Sequence, residues 1–100
     1  MTAMHRLVGM PLRSSTQGPE GQVTLQFKEC DLAVFTPWQA TVPLEALVGQ
    51  RVTTIESAPG SALRLSFDNG DLFTASLRAD DYSGPEAFAA YFRTGEIVVG

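Results

Sequence analysis

Residues 63 to 77 read Leu63-Arg64-Leu65-Ser66-Phe67-Asp68-Asn69-Gly70-Asp71-Leu72-Phe73-Thr74-Ala75-Ser76-Leu77. Leu63 to Phe67 alternates apolar and polar side chains, the period of a half-buried strand. Asn69-Gly70 then supplies two residues that tolerate positive φ, as a two-residue type I′ hairpin requires. With that loop, Asp68 faces Asp71, Phe67 faces Leu72 and Leu65 faces Thr74, and Leu72 to Leu77 is the returning strand. Val52 to Glu56, ahead of the turn Ala58-Pro59-Gly60, reads as a preceding strand. The segment is therefore expected to form a three-strand meander.

The same pattern occurs earlier in the chain. Residues 7–38 and 47–78 align without a gap at an offset of 40. Eight positions are identical: Leu7/Leu47, Val8/Val48, Gly9/Gly49, Pro19/Pro59, Leu25/Leu65, Phe27/Phe67, Asp31/Asp71 and Leu32/Leu72. Chance pairing at ordinary composition gives about two. The first unit reads as a weak strand around Met10 to Ser14, a turn over Gln17 to Gly21, the strand Val23 to Phe27, a turn over Lys28 to Asp31, and a return from Leu32 to Thr36. Cys30 stands where Gly70 makes the second turn, so the first hairpin should use another turn type or a bulge.

Two helical segments are expected beside the strands. Pro43 suits a first helical position, Leu44 to Leu47 are helix formers, and Gly49 suits the end of a short turn. A longer helix is expected over about 85–92. Ser83 or Gly84 can cap it, Pro85 can start it, and Phe88, Tyr91 and Phe92 share one face. Glu96 to Val99 reads as a last strand. The fold class expected is α+β, mainly antiparallel β: one domain over 1–100, with the duplicated meander in a curved sheet or small barrel and a C-terminal helix. One sheet face collects Val23, Leu25, Phe27, Leu32, Leu63, Leu65, Phe67 and Leu72. The other carries Phe35, Phe73, Ala75 and Leu77 outward. A short helix cannot cover that face, so a homodimer with Phe35 or Phe73 at its interface is expected.

Composition narrows the function classes. Eleven acids against seven bases give a net charge of −4. The bases are scattered, which argues against nucleic acid as a partner. No apolar run approaches membrane-spanning length, so no membrane role is expected. Met1 to Leu12 holds no apolar leader segment, and Cys30 is the single cysteine. Both point to a cytoplasmic protein. Arginine outnumbers lysine six to one, a coding bias of G+C-rich bacterial genomes. Cys30 and His5, the only histidine, cannot build a zinc cage, and no metal or cofactor is expected. Glu29 and Asp31 beside Cys30 disfavour a thiolate.

The chemistry-bearing candidates are few. Asp80, Asp81 and Glu86, with Tyr82 among them, form the densest acidic group. They suit a polar approach to a helix start or, alternatively, ligand binding and acid/base work. Asp68 to Asp71 lacks the spacing of a calcium loop and reads as a hairpin tip. Trp38, after Pro37, marks either a binding spot or the capped end of a sheet. The chain holds no Walker loop, GxGxxG, GxSxG or HExxH motif.

Leu63-Arg64-Leu65-Ser66-Phe67-Asp68-Asn69-Gly70-Asp71-Leu72, followed by Asp81-Tyr82-Ser83-Gly84-Pro85-Glu86-Ala87-Phe88, resembles small uncharacterised bacterial proteins that pair an LxLxFDNGDL hairpin with a DYSGPEAF-like segment. The likeness covers Leu63 to Tyr91, and the GPEA-type element is its distinctive part. Some of those proteins resemble immunity partners of bacterial toxins, which act by binding. The resemblance implies a non-catalytic role and assigns no site residue. A binding or assembly module, immunity-like and self-associating, is therefore expected, with Phe35, Trp38, Phe73, Asp80, Asp81, Tyr82 and Glu86 as candidates for contact with a protein partner or ligand. The rival expectation is a small ligand-binding or acid/base enzyme domain using Asp80, Asp81, Tyr82 and Glu86.

Overall fold

The computed structural model describes residues 3–19 and 21–100. Its nine strands are β1 (Leu12–Gln17), β2 (Val23–Phe27), β3 (Cys30–Val34), β4 (Trp38–Ala40), β5 (Val52–Ala58), β6 (Ala62–Phe67), β7 (Leu72–Ser76), β8 (Phe88–Phe92) and β9 (Ile97–Val99). The helical segments among the described residues are short 3₁₀ turns at Ala3–Leu7, Leu44–Leu47 and Ala79–Asp81. All strand pairs are antiparallel, in two open sheets ordered β1-β2-β3-β8-β9 and β4-β7-β6-β5. Side chains from both sheets meet in one core that includes Leu12, Leu25, Phe27, Leu32, Leu63, Leu65, Phe67 and Phe73.

Each meander lends its fourth strand to the other sheet. β4 follows β3 in the chain but pairs with β7, while β8 follows β7 but pairs with β3. The first two strands of the meanders share a register at an offset of 40. Leu12 opposes Phe27 as Val52 opposes Phe67, and each pair is followed by a bulge before Ser14 or Thr54. The units also clasp one another reciprocally. The Gly9 amide donates to the Val52 carbonyl and the Gly49 amide to the Leu12 carbonyl, both at 2.7 Å. Leu12 donates to Gln50, and Val52 to Met10. Gly9 and Gly49 both take φ of +90°, a left-handed conformation that glycine adopts at little cost. Leu7 and Leu47, at the ends of the 3₁₀ turns preceding these glycines, are both fully buried.

The hairpin at Asn69-Gly70 departs from the expected two-residue loop. Gly70 takes φ of +90°, and no non-glycine residue among those described takes a positive φ. A type I′ turn needs Asn69 there too. Instead the Gly70 amide donates to the Phe67 carbonyl, and the Phe67 amide to the Asp71 carbonyl. This is a three-residue loop whose glycine forms the bulge. Asn69 fixes it locally: its Oδ1 accepts from the Asp71 amide and its Nδ2 donates to the Asp71 carboxylate. The extra loop residue shifts β7 by one position, so Leu65 opposes Phe73 rather than Thr74. Phe73, Ala75 and Leu77 therefore face the core, and Leu72 is only half-buried. In the first unit Leu25 opposes Leu32, so the third strands correspond at an offset of 41. The outward apolar face that argued for a homodimer through Phe73 is thus absent from β7.

The C-terminal helix expected over about 85–92 is also replaced. Pro85 lies in a bend, and Phe88–Phe92 forms β8. β8 lies between β3 and β9, and its neighbouring residues Ala89 and Ala90 are both buried. A strand hydrogen-bonded on both edges and covered on both faces takes small and aromatic residues readily, and that tertiary pairing overrides the local helix preference. The sheets stay open, so neither a barrel nor one continuous curved sheet forms. The 3₁₀ turn at Leu44–Leu47 and strand β9 lie where the sequence places a helical turn and a last strand.

Candidate functional site

Two grooves lie where the exchanged strands leave their own meanders. The first is bounded by the β1–β2 hairpin through Gln17, Gly21 and Gln22, by the end of β3 through Phe35 and Thr36, and by Trp38 at the start of β4. Asp81 and Ser83 complete it, and its volume is about 580 Å³. The second has the matching origin. Ser57, Gly60 and Leu63 come from the β5–β6 hairpin, Leu77 from the end of β7 and Phe88 from the start of β8, around about 470 Å³.

Trp38 is held firmly in the first groove. Its ring lies on the buried Phe73 at a centroid distance of 5.5 Å and an interplanar angle of 22°. Its indole N–H donates to the Gly21 carbonyl at 2.8 Å. Trp38 is half-buried, so part of the ring remains at the groove surface. Beside it Thr36 is buried, and its hydroxyl donates to the Ser76 carbonyl at 2.7 Å. The Ser76 hydroxyl donates to the Asp81 carboxylate at 2.5 Å, and the Arg78 amide donates to Ser76 Oγ. Asp81 is thereby fixed at the groove wall. A flat aromatic surface, side-chain amides and one positioned carboxylate can orient a partner group without performing covalent chemistry.

The sequence candidates separate on this frame. Phe35, Trp38 and Asp81 share the first groove. Tyr82 lines the second. Asp80 is exposed, Glu86 is half-buried outside the lining of either groove, and Phe73 lies buried beneath Trp38. Among the described residues no three His, Cys, Asp or Glu side chains gather closely enough to hold a metal ion. The single thiol, Cys30, is buried, and that burial, reinforced by the negative charge of Asp31, pushes it up to about 12. Gln17, Gln22, Thr36 and Ser83 carry no local motif. Gln17 and Gln22 reach the site because the β1–β2 hairpin tip meets Trp38, and Thr36 and Ser83 because the segments after β3 and after the Ala79–Asp81 turn border the same groove.

No protein family, curated protein or solved structure matches the chain. Among the described residues no helix is long and apolar enough to cross a membrane.

Proposed function

We propose that this domain is a non-catalytic binding module that holds a polypeptide partner in the Trp38 groove. The observation carrying this reading is the fixed, half-buried indole, stacked on Phe73 and tied to Gly21, beside a positioned Asp81. A large, rigid amphipathic ring offers contact area at low entropic cost, which is why tryptophan is enriched at binding hot spots. The dispersal of Asp80, Asp81, Tyr82 and Glu86 over different surfaces leaves the acid/base alternative without a converging set of groups. The resemblance of Leu63 to Tyr91 to small uncharacterised bacterial proteins, some of them immunity-like, agrees with action by binding.

The test is site-specific photo-crosslinking in the native cell from position 22, an exposed residue of the groove. A covalent adduct with one polypeptide is expected, and it should disappear in the Trp38→Ala background while the domain stays folded by circular dichroism. No adduct, or one that persists in the folded Trp38→Ala variant, would refute the reading.

A further inference from the structure

The two exchanged strands, β4 and β8, occupy equivalent places, and only one of them has an outer neighbour. Val34 opposes Phe88 and Leu32 opposes Ala90. In the other sheet Ala75 opposes Trp38 and Phe73 opposes Ala40. Trp38 thus stands where Phe88 stands, and Ala40 where Ala90 stands. The hydrogen bonds agree: Phe35 donates to the Ala87 carbonyl at 2.8 Å, and Ser76 to the Pro37 carbonyl at 2.9 Å. On its far side β8 carries β9, with Ala90 opposite Val98. Phe88 and Gly100 exchange both backbone hydrogen bonds there. β4 is an edge strand with no such neighbour among the described residues.

The open edge presents usable backbone groups. Pro37 accepts from Ser76 and Thr41 donates to Leu72, so the odd-numbered residues of β4 face β7. In an antiparallel ladder the alternate residues point their N–H and C=O groups the other way. Those residues are Trp38 and Ala40, the counterparts of Phe88 and Ala90. The second groove is closed along this side by Val98, Val99 and Gly100, whereas among the described residues no equivalent strand lines the first.

We propose that the partner binds as an added β-strand, running antiparallel to β4 in the place that β9 takes beside β8, and that its inward residue is Arg or Lys. This deepens the reading of the Trp38 groove and rests on it. The fold itself supplies the template, because an extended segment already completes the equivalent edge. Backbone pairing with Trp38 and Ala40 gives register, and alternate side chains of the guest give specificity. The residue opposite Ala40 corresponds to Val98, which packs half-buried against the core. Trp38, two residues from Ala40 and on the same face of β4, lines the first groove together with Asp81. Among the described residues no basic side chain lines this groove, and Arg78 lines a separate hollow beside Trp38 and Asp81 without an ion pair to Asp81. An aliphatic stem over the indole with its cationic head at the carboxylate satisfies both surfaces.

The test is selection of a displayed library of random linear peptides on the intact protein, followed by titration through the emission of Trp38, the single tryptophan. Enriched peptides should share an Arg or Lys. Their affinity should fall by about tenfold or more in Ala40→Pro, which removes an outward N–H at an edge position that tolerates proline. A depsipeptide, with an ester replacing the amide that pairs with β4, should weaken in the same way on the unaltered protein. Asp81→Asn should lower affinity and remove the preference for a basic residue. If Trp38→Ala, titrated by calorimetry because it lacks the reporter, abolishes binding while Ala40→Pro and the ester leave it unchanged, the groove reading stands and strand addition is overturned. Enriched peptides without a basic residue would overturn the charge assignment. No enrichment at all overturns both readings. A dimer in sedimentation that Ala40→Pro dissociates would make a second copy the occupant and overturn the peptide assignment.

Discussion

Replacing Phe73 and Leu72 separately by alanine tests the register on which the whole architecture depends. A two-residue loop at Asn69-Gly70 would put Leu72 in the core and Phe73 outside. The three-residue loop reverses this: Phe73 is fully buried against Trp38, and Leu72 is half-buried. Truncating a buried Phe costs about 3–5 kcal/mol, and loss of the aromatic pair is part of that cost. For Leu72 the lost burial is partial, and about 1 kcal/mol is expected. A domain of this size has a total stability of roughly 5–15 kcal/mol, so Phe73→Ala removes a large share. Urea unfolding followed by far-ultraviolet circular dichroism reads both variants. Trp38 emission should also change at once in Phe73→Ala, because the ring beneath it is gone. If Phe73→Ala does not fold, Phe73→Leu should still cost more than Leu72→Ala. A larger cost at Leu72 than at Phe73 would refute the three-residue loop and everything derived from the position of β7.

Gly70→Ala should destabilise by about 1–2 kcal/mol through φ of +90° alone, since open space surrounds the added methyl; an unchanged urea midpoint would refute the bulged turn. Thr36→Val removes the donor to the Ser76 carbonyl and should cost about 1 kcal/mol in the same assay, whereas a neutral result would mean the bond contributes nothing. Cys30 keeps its proton when folded up to a pH of about 12, while the unfolded thiol ionises in its ordinary range. The unfolded state then binds fewer protons, so this contribution to stability is full below the ordinary thiol range and is lost as pH rises towards 12. Cys30→Ala should show a flatter alkaline decline, and native Cys30 should react slowly with a thiol reagent until the chain unfolds. Trp38→Phe should keep the fold, as Phe88 does at the equivalent place, but should weaken whatever binding Trp38→Ala abolishes; retention of full affinity would assign the indole N–H no part in shaping the groove.

How legible the chain was depended on how local each signal is. Alternation in Val23 to Phe27 and Leu63 to Phe67 marks strands because the period of two belongs to the backbone itself. All of the apolar residues in those two strands are buried. The pairing partner was harder to read, since one extra loop residue reverses every face of the returning strand. Asn69-Gly70 reads as a two-residue type I′ loop, whereas the loop that forms is one residue longer and carries the Asn69 side chain bonded to Asp71. The segment Ala87 to Phe92 misled for a different reason. Its aromatic spacing fits a helix face, but its neighbours β3 and β9 come from distant parts of the chain, and no local pattern announces them. Trp38 was visible as a candidate, while Gln17, Gln22 and Gly21 were not, because the exchange of β4 and β8 is what brings them to it.

The two grooves occupy matching places in one fold, so their differences separate what folding requires from what it does not. Around the second groove the matching positions hold Leu77 and Phe88, and Val98 seals the open side. That arrangement shows that an apolar filling suffices for the crossing strand to pack. The first groove puts Thr36 and Trp38 in those positions. Each introduces a polar group that burial would penalise unless it is paired. Both are paired, Thr36 to Ser76 and Trp38 to Gly21, so the polarity is accommodated rather than left as a flaw. A Leu and a Phe would meet the packing need without that demand. The Gly21 bond also fixes the angle of the indole, which a sealed apolar core does not require. The open edge of β4 lies on the same side. Chemistry that packing does not require and backbone groups that no strand among the described residues satisfies thus lie at one place, and the proposed strand addition rests on that coincidence.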